Sequence, residues 1–149
     1  MREQFTSELK TAMKAGDKRR VETIRMITAA LKDKDIEARG QSKTVSDDDI
    51  LALLQKMVKS RRESKEIYEK AGRADLATQE GDEIAIIEGF LPQPLSEADV
   101  EAAIVAAIAE TGAASIKDMG KVVAALKSKY AGQVDFAKAS AAVKAKLGA

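Results

Sequence analysis

The chain has 149 residues, 25 basic and 24 acidic side chains and a net charge of +1, so it lacks the broad positive field typical of nucleic-acid-binding domains. Histidine and cysteine are absent, which excludes disulfides, zinc fingers and nucleophiles activated by histidine. Strong helix formers dominate, and nothing before residue 90 alternates with a period of two. The sequence therefore predicts an all-α protein with no cofactor and no metal.

Four helices are predicted before residue 91. Gly16 ends the first, and Asp17 is placed to cap the second. Ser46 with Asp49 three residues later forms a candidate capping box at the start of the third. The predicted spans are Arg2–Ala15, from Asp17 to just before Gly40, from Ser46 to Gly72, and Ala74–Gly89.

The segment Leu91–Leu95 cannot continue a helix, because Pro92 and Pro94 lack amide donors and restrict the residues before them. We therefore predict a four-helix amino-terminal domain over residues 1–91 and a small three-helix domain over residues 92–149, with a linker around 91–96. Candidate caps for the three later helices are Ser96 with Asp99, Ser115 with Asp118, and Asp135. On the helix after Ser115, the residues expected to face the core are Ile116, Met119, Val123, Leu126 and Tyr130. On the helix after Asp135 they are Phe136, Ser140, Val143 and Leu147.

The carboxy-terminal part is the best candidate for an anion-binding surface. Residues 112–149 carry seven lysines against two aspartates, a net charge of +5, and we expect no nearby group to neutralise these lysines. Gly120, at the rim of the apolar stripe, permits close approach of another backbone. With Tyr130 and Phe136 predicted inward, contact with phosphate or RNA shape is favoured over base stacking. The predicted RNA-binding residues are Lys117, Gly120, Lys121, Lys127, Lys129, Lys138 and Lys144.

Two further cationic runs have competing interpretations. Lys18, Arg19 and Arg20 open a helix, where the helix dipole disfavours cations, so a phosphate or a neighbouring carboxylate would relieve the conflict. This run is a secondary candidate anion site, although a solvated run offset by nearby acids explains it too. On the third helix, Lys59, Arg62 and Lys65 each have a glutamate four residues later, as Glu66 has Lys70, which favours a solvated face with surface pairs.

Several stretches resemble the YqeY family, in order along nearly the whole chain. They are Lys18–Ile27, Val58–Ser64, Gly72–Glu80, Glu83–Pro92, Lys117–Val123 and Gly132–Asp135. That family is similar to the carboxy-terminal helical region of GatB, a subunit of the tRNA-dependent amidotransferase. The resemblance implies a four-helix and a three-helix domain, tRNA contact by the tail-like part, and an association with carbon–nitrogen ligase activity that uses glutamine as amide donor.

No residues able to catalyse that ligase reaction are evident in the sequence. Whether the chain is an enzyme therefore stays open, and we interpret the ligase activity implied by the resemblance as an association with an amidotransferase. The leading hypothesis is a non-catalytic helical protein that binds tRNA or structured RNA, with amidotransferase subunits as further partners. The alternative is a protein–protein adaptor with no direct nucleic-acid role. The first ten residues lack a signal-type apolar run, and the apolar run Ala102–Ala109 is too short to span a bilayer. A cytoplasmic protein is therefore expected.

Overall fold

The computed structural model describes residues 1–148, and within them the protein is all α-helical with no strand. The chain divides into two compact units, Met1–Leu91 and the part from Pro92 onward. The helices of the first unit are α1 (Arg2–Ala15), α2 (Lys18–Gly40), α3 (Asp47–Lys70) and α4 (Ala74–Glu88). Those of the second are α5 (Glu97–Thr111), α6 (Met119–Tyr130) and α7 (Phe136–Gly148), with a 3₁₀ turn over Ile116–Asp118 before α6.

Local capping chemistry sets most helix boundaries. The Asp17 carboxylate accepts the Arg20 amide at 3.1 Å, which confirms the predicted cap of α2. Ser46 and Asp49 form a complete capping box on α3, with reciprocal bonds of 2.9 and 3.1 Å. The Ser96 hydroxyl accepts the Asp99 amide at 3.1 Å. Gly16 ends α1 in the left-handed region at φ 69°, as its sequence position predicts.

The first unit closes around an aliphatic core with two phenylalanines. Fully buried side chains come from α1, α2, α3 and α4, and the most extensive helix packing is between α3 and α4. Phe5 and Phe90 meet edge to face with ring centroids 5.0 Å apart, which joins the beginning and the end of the unit. The buried hydrophobic residues of this cluster are Phe5, Ile24, Ile27, Leu31, Ile50, Leu54, Val58, Ile87 and Phe90.

The second unit has a smaller core of aliphatic side chains and alanine, with two expected inward positions shifted by one residue. Val122 is fully buried and Val123 only partly, and Ala139 is buried where Ser140 was expected. Ile116 is 49% exposed and lies outside the stripe. The buried residues of this cluster are Ala103, Ile104, Ala107, Val122, Leu126 and Val143, with Met119, Tyr130, Phe136 and Leu147 packed against them.

The expected capping box at Ser115 is wrong. Ser115 makes no side-chain cap, and the Asp118 carboxylate instead accepts the Ala114 amide at 3.0 Å. This bond is the largest cause that lowers the pKa of Asp118. Asp135 does cap α7, because its carboxylate accepts the amides of Ala137 and Lys138 at 3.0 and 3.3 Å.

Across residues 1–148, no helix combines the length and the apolar character that crossing a bilayer requires.

Candidate nucleic-acid interface

The lysines of the second unit fall into two groups at opposite ends of α6. The first group is Lys117, Gly120 and Lys121, and Lys144 lies at the same end. Gly148 is one turn beyond Lys144, and a Cβ added to it would lie 3.2 Å from the side chain of Ile116, the residue before Lys117. The second group is Lys127, Lys129 and Lys138, near the turn between α6 and α7. The nearest members of the two groups on α6, Lys121 and Lys127, are six residues apart, about 9 Å along the helix, so the seven predicted residues do not converge on one point.

The first group makes fewer interactions within the unit. Lys117, Lys121 and Lys144 are exposed, and within residues 1–148 none of the three forms an ion pair. The Lys121 charge is close enough to Asp118 to help to lower the pKa of that carboxyl group. A Cβ added at Gly120 would meet nothing within 4 Å, so the backbone here is open to close approach. We call Lys117, Lys121 and Lys144 the free-lysine end.

The second group is partly engaged inside the unit. The Lys129 ammonium bonds both carboxylate oxygens of Glu110 at 2.9 and 3.0 Å, which raises the pKa of Lys129. The Lys127 ammonium lies 5.9 Å from the centroid of the Phe136 ring. Lys138 is exposed, with no ion pair among the described residues.

The expectation that no acid would neutralise the carboxy-terminal lysines is therefore wrong in two places. Besides Lys129, the ammonium of Lys146 on α7 pairs with Glu101. Both partner acids come from α5, which carries four acids and no base. The +5 charge counted from residue 112 left this helix out. With it included, the second unit has seven lysines against six acids.

The secondary cationic run is bound by carboxylates from other helices of the first unit. Arg19 pairs with Asp82 of α4 at 3.1 Å, and Arg20 pairs with Glu8 of α1 at 2.8 Å. The Arg20 guanidinium also lies 5.9 Å from the centroid of the Phe90 ring. Lys18 is exposed and has no ion pair within the described residues. Neighbouring carboxylates thus supply the negative charge that the start of α2 requires.

One cation of the third helix is partly buried and pairs with a buried carboxylate. Arg61 donates from Nε to Glu83 of α4 at 3.0 Å, and the two side chains are 16% and 7% exposed. Gln79 donates to the other Glu83 oxygen at 3.3 Å, and Arg61 also reaches the Met57 carbonyl at 3.3 Å. Burial and the nearby Glu83 charge raise the pKa of Glu80. The sequence interpretation of this face as solvated holds for Lys65 and Lys70, which pair with Glu69 and Glu66, but not for Arg61.

The buried Arg61–Glu83 pair was missed because its partners are 22 residues apart and belong to different helices. Arg62 likewise pairs with Glu88 of α4, where the four-residue spacing had suggested Glu66. The one available signal was the position of Glu83 one turn before the buried Ile87, on the inward face of a helix. No group of three or more acidic side chains within residues 1–148 is arranged to hold a metal ion.

Comparison with known proteins shows the family of the chain. The family described as Yqey-like protein matches residues 2–147, almost the whole chain. The chain belongs to the YqeY family. It is also similar to "Altered inheritance of mitochondria protein 41, mitochondrial" from Lachancea thermotolerans, with 37% identity over 99 residues. That match covers 65% of this chain and 52% of the relative, so the chain spans about half the length of the curated protein it matches.

Proposed function

We propose that this YqeY-family protein is a non-catalytic accessory protein that binds tRNA or another structured RNA through the free-lysine end of its second unit. The observation that carries the proposal is that Lys117, Lys121 and Lys144 are exposed and have no ion pair within residues 1–148, beside the open backbone of Gly120. Ammonium groups without acid partners are suited to phosphate oxygens, and an exposed glycine allows an RNA backbone to come close.

The other predicted residues take a lesser part in the proposal. Lys138 is free to add a contact, whereas Lys129 has first to leave Glu110, and Lys127 lies against Phe136. Arg19 and Arg20 are occupied by Asp82 and Glu8, which leaves Lys18 as the accessible cation of that run. Phosphate contact is therefore proposed chiefly for the free-lysine end.

The biological setting is proposed on the family resemblance. A GatB-like tail suggests a connection with glutamine-dependent amidation of tRNA, in which the bond-making centres lie in partner subunits. We also propose that the protein is cytoplasmic and that residues 1–91 and 92–149 form separate domains. The name of the Lachancea relative places that protein in mitochondria.

The test is a salt series of tRNA binding followed by fluorescence anisotropy. Three phosphate contacts predict a slope of log K against log salt of about −2 to −2.7, a loss of about 20- to 40-fold between 50 and 200 mM salt. The triple variant Lys117→Gln, Lys121→Gln, Lys144→Gln should lose most of this dependence. Its matched control is Lys10→Gln, Lys32→Gln, Lys59→Gln, which removes the same charge from exposed lysines of the first unit. Equal losses in the two variants would refute the assignment of the site.

A protein–protein adaptor is the second candidate. Exposed apolar side chains of the first unit favour it, since Met13, Ile36 and Ile67 are 54%, 57% and 65% exposed. Affinity purification before and after nuclease treatment separates the two functions. Partners retained after nuclease treatment support the adaptor, and partners lost with it support RNA binding.

A further inference from the structure

A cavity of about 350 Å³ lies between the end of α2 and the start of α3, and none of its lining residues is among those assigned to RNA. The loop over residues 41–46 forms one wall. The chain turns sharply at the end of α2, because the Ser42 and Lys43 amides donate hydrogen bonds to the Arg39 and Ala38 carbonyls at 3.1 and 2.8 Å. Ser42 takes φ 56°, the left-handed conformation that such a helix ending requires.

The lining has an apolar side and a cationic side. Val45 and Leu53, both partly buried and packed against the core of the first unit, supply the apolar surface together with alanine. Three lysines, Lys34, Lys43 and Lys56, line the same space. A cavity of this size is at the lower end of the range that encloses small organic ligands.

The acids around the cavity are already engaged. The Lys34 ammonium lies 3.7 Å from the Glu37 carboxylate. The Asp49 carboxylate accepts the Ser46 amide, and this bond is the largest cause that lowers the pKa of Asp49. Lys43 and Lys56 form no ion pair within residues 1–148, so two ammonium groups are available to a ligand.

We propose that this cavity binds a small organic anion, a phosphate or carboxylate group attached to an apolar body. The anionic group pairs with Lys43 and Lys56, and the apolar body covers Val45 and Leu53. An inorganic anion would use only the cationic half of the lining, so it should bind more weakly. The site is independent of the proposed RNA function, because its residues lie in the first unit.

The experiment is a titration of the isotope-labelled full chain, followed by the backbone amide NMR signals of residues 41–56. The probes are adenosine monophosphate, octanoate and inorganic phosphate at up to low-millimolar concentration. Either organic anion, or both, should shift these amides and bind at least tenfold more tightly than inorganic phosphate. Which of them binds distinguishes a phosphate ligand from a carboxylate ligand.

The variant Lys43→Gln, Lys56→Gln should weaken this binding at least tenfold, whereas Lys10→Gln, Lys32→Gln should leave it unchanged. A Leu53→Asn variant tests the apolar half, with the helical far-UV circular dichroism spectrum as the check on folding. The proposal is overturned if neither organic anion shifts these amides, or if inorganic phosphate binds equally tightly. It is also overturned if tRNA shifts the same amides and neither organic anion does, since the cavity would then be an RNA contact.

Discussion

The buried pair between Arg61 and Glu83 gives the sharpest stability prediction. Replacing Arg61 with Met keeps an aliphatic stem of similar reach but leaves the Glu83 carboxylate, 7% exposed, with only the Gln79 amide at 3.3 Å. Removing one member of a buried ion pair typically costs about 3–5 kcal/mol. Because Arg61 is 16% exposed and water reaches the pair from that side, we expect a value near the lower end, about 3 kcal/mol.

The neighbouring residue supplies the matched control. Arg62 pairs with Glu88, but these side chains are 64% and 43% exposed, so Arg62→Met should cost less than about 1 kcal/mol. The double variant Arg61→Met, Glu83→Leu removes both charges and should recover most of the stability, because no charge remains buried without a partner.

Urea unfolding measures these differences, with the methyl NMR signals of Ile24, Ile27 and Ile87 reporting on the core of the first unit alone. The reasoning is refuted if Arg61→Met costs no more than Arg62→Met, or if the double variant is less stable than either single one.

Three further predictions concern single positions. Ser42→Gly should raise the free energy of unfolding by about 0.5–1 kcal/mol in urea, because glycine adopts the observed φ without strain; a loss of stability would show that the Ser42 side chain matters more. Because the pKa of Asp49 is lowered in the folded state, the ionised carboxylate stabilises the fold at pH values above its ordinary pKa near 4. This stabilisation is lost as pH falls through the folded-state pKa. Asp49→Asn should therefore flatten the acid limb of the curve of stability against pH, measured by thermal unfolding. Asp118→Asn removes the acid beside Lys121 and should tighten tRNA binding about threefold at low salt, measured by anisotropy, whereas the same change at Asp135 should have a smaller effect.

Helix positions and most caps were predictable because they depend on neighbours in the sequence. The caps at Asp17, Ser46 and Asp135 each need one side chain and an amide no more than three residues away. The all-α class follows from the same local information. Sequence reasoning did well where the interacting groups are within one helical turn.

The phase of the α6 stripe was not predictable from spacing alone. Counting from Ile116 assumed 100° per residue, but Ile116–Asp118 is a 3₁₀ turn that winds about 120° per residue. This turn carries Ile116 off the stripe. Val122 and Val123 both lie within α6, on either side of the line through Met119 and Leu126, so spacing alone does not decide which of the two is buried.

The electrostatic partners of the candidate site could not be read from the sequence either. Lys129 and Glu110 are 19 residues apart, and their meeting depends on how α5 and α6 pack. The same holds for Arg20 and Glu8, which are 12 residues apart on different helices. The sequence indicated which lysines exist, but only the packing showed which of them remain free.

The contact between the Phe5 and Phe90 rings has a consequence for how the protein is made. These side chains are separated by 85 residues, so their meeting closes a loop that includes nearly all of the first unit. As the ribosome synthesises the chain from its amino terminus, helix α1 emerges early, but its buried ring has no aromatic partner until residue 90 has followed. The nascent first unit therefore cannot complete its core before translation has reached the proline-containing segment.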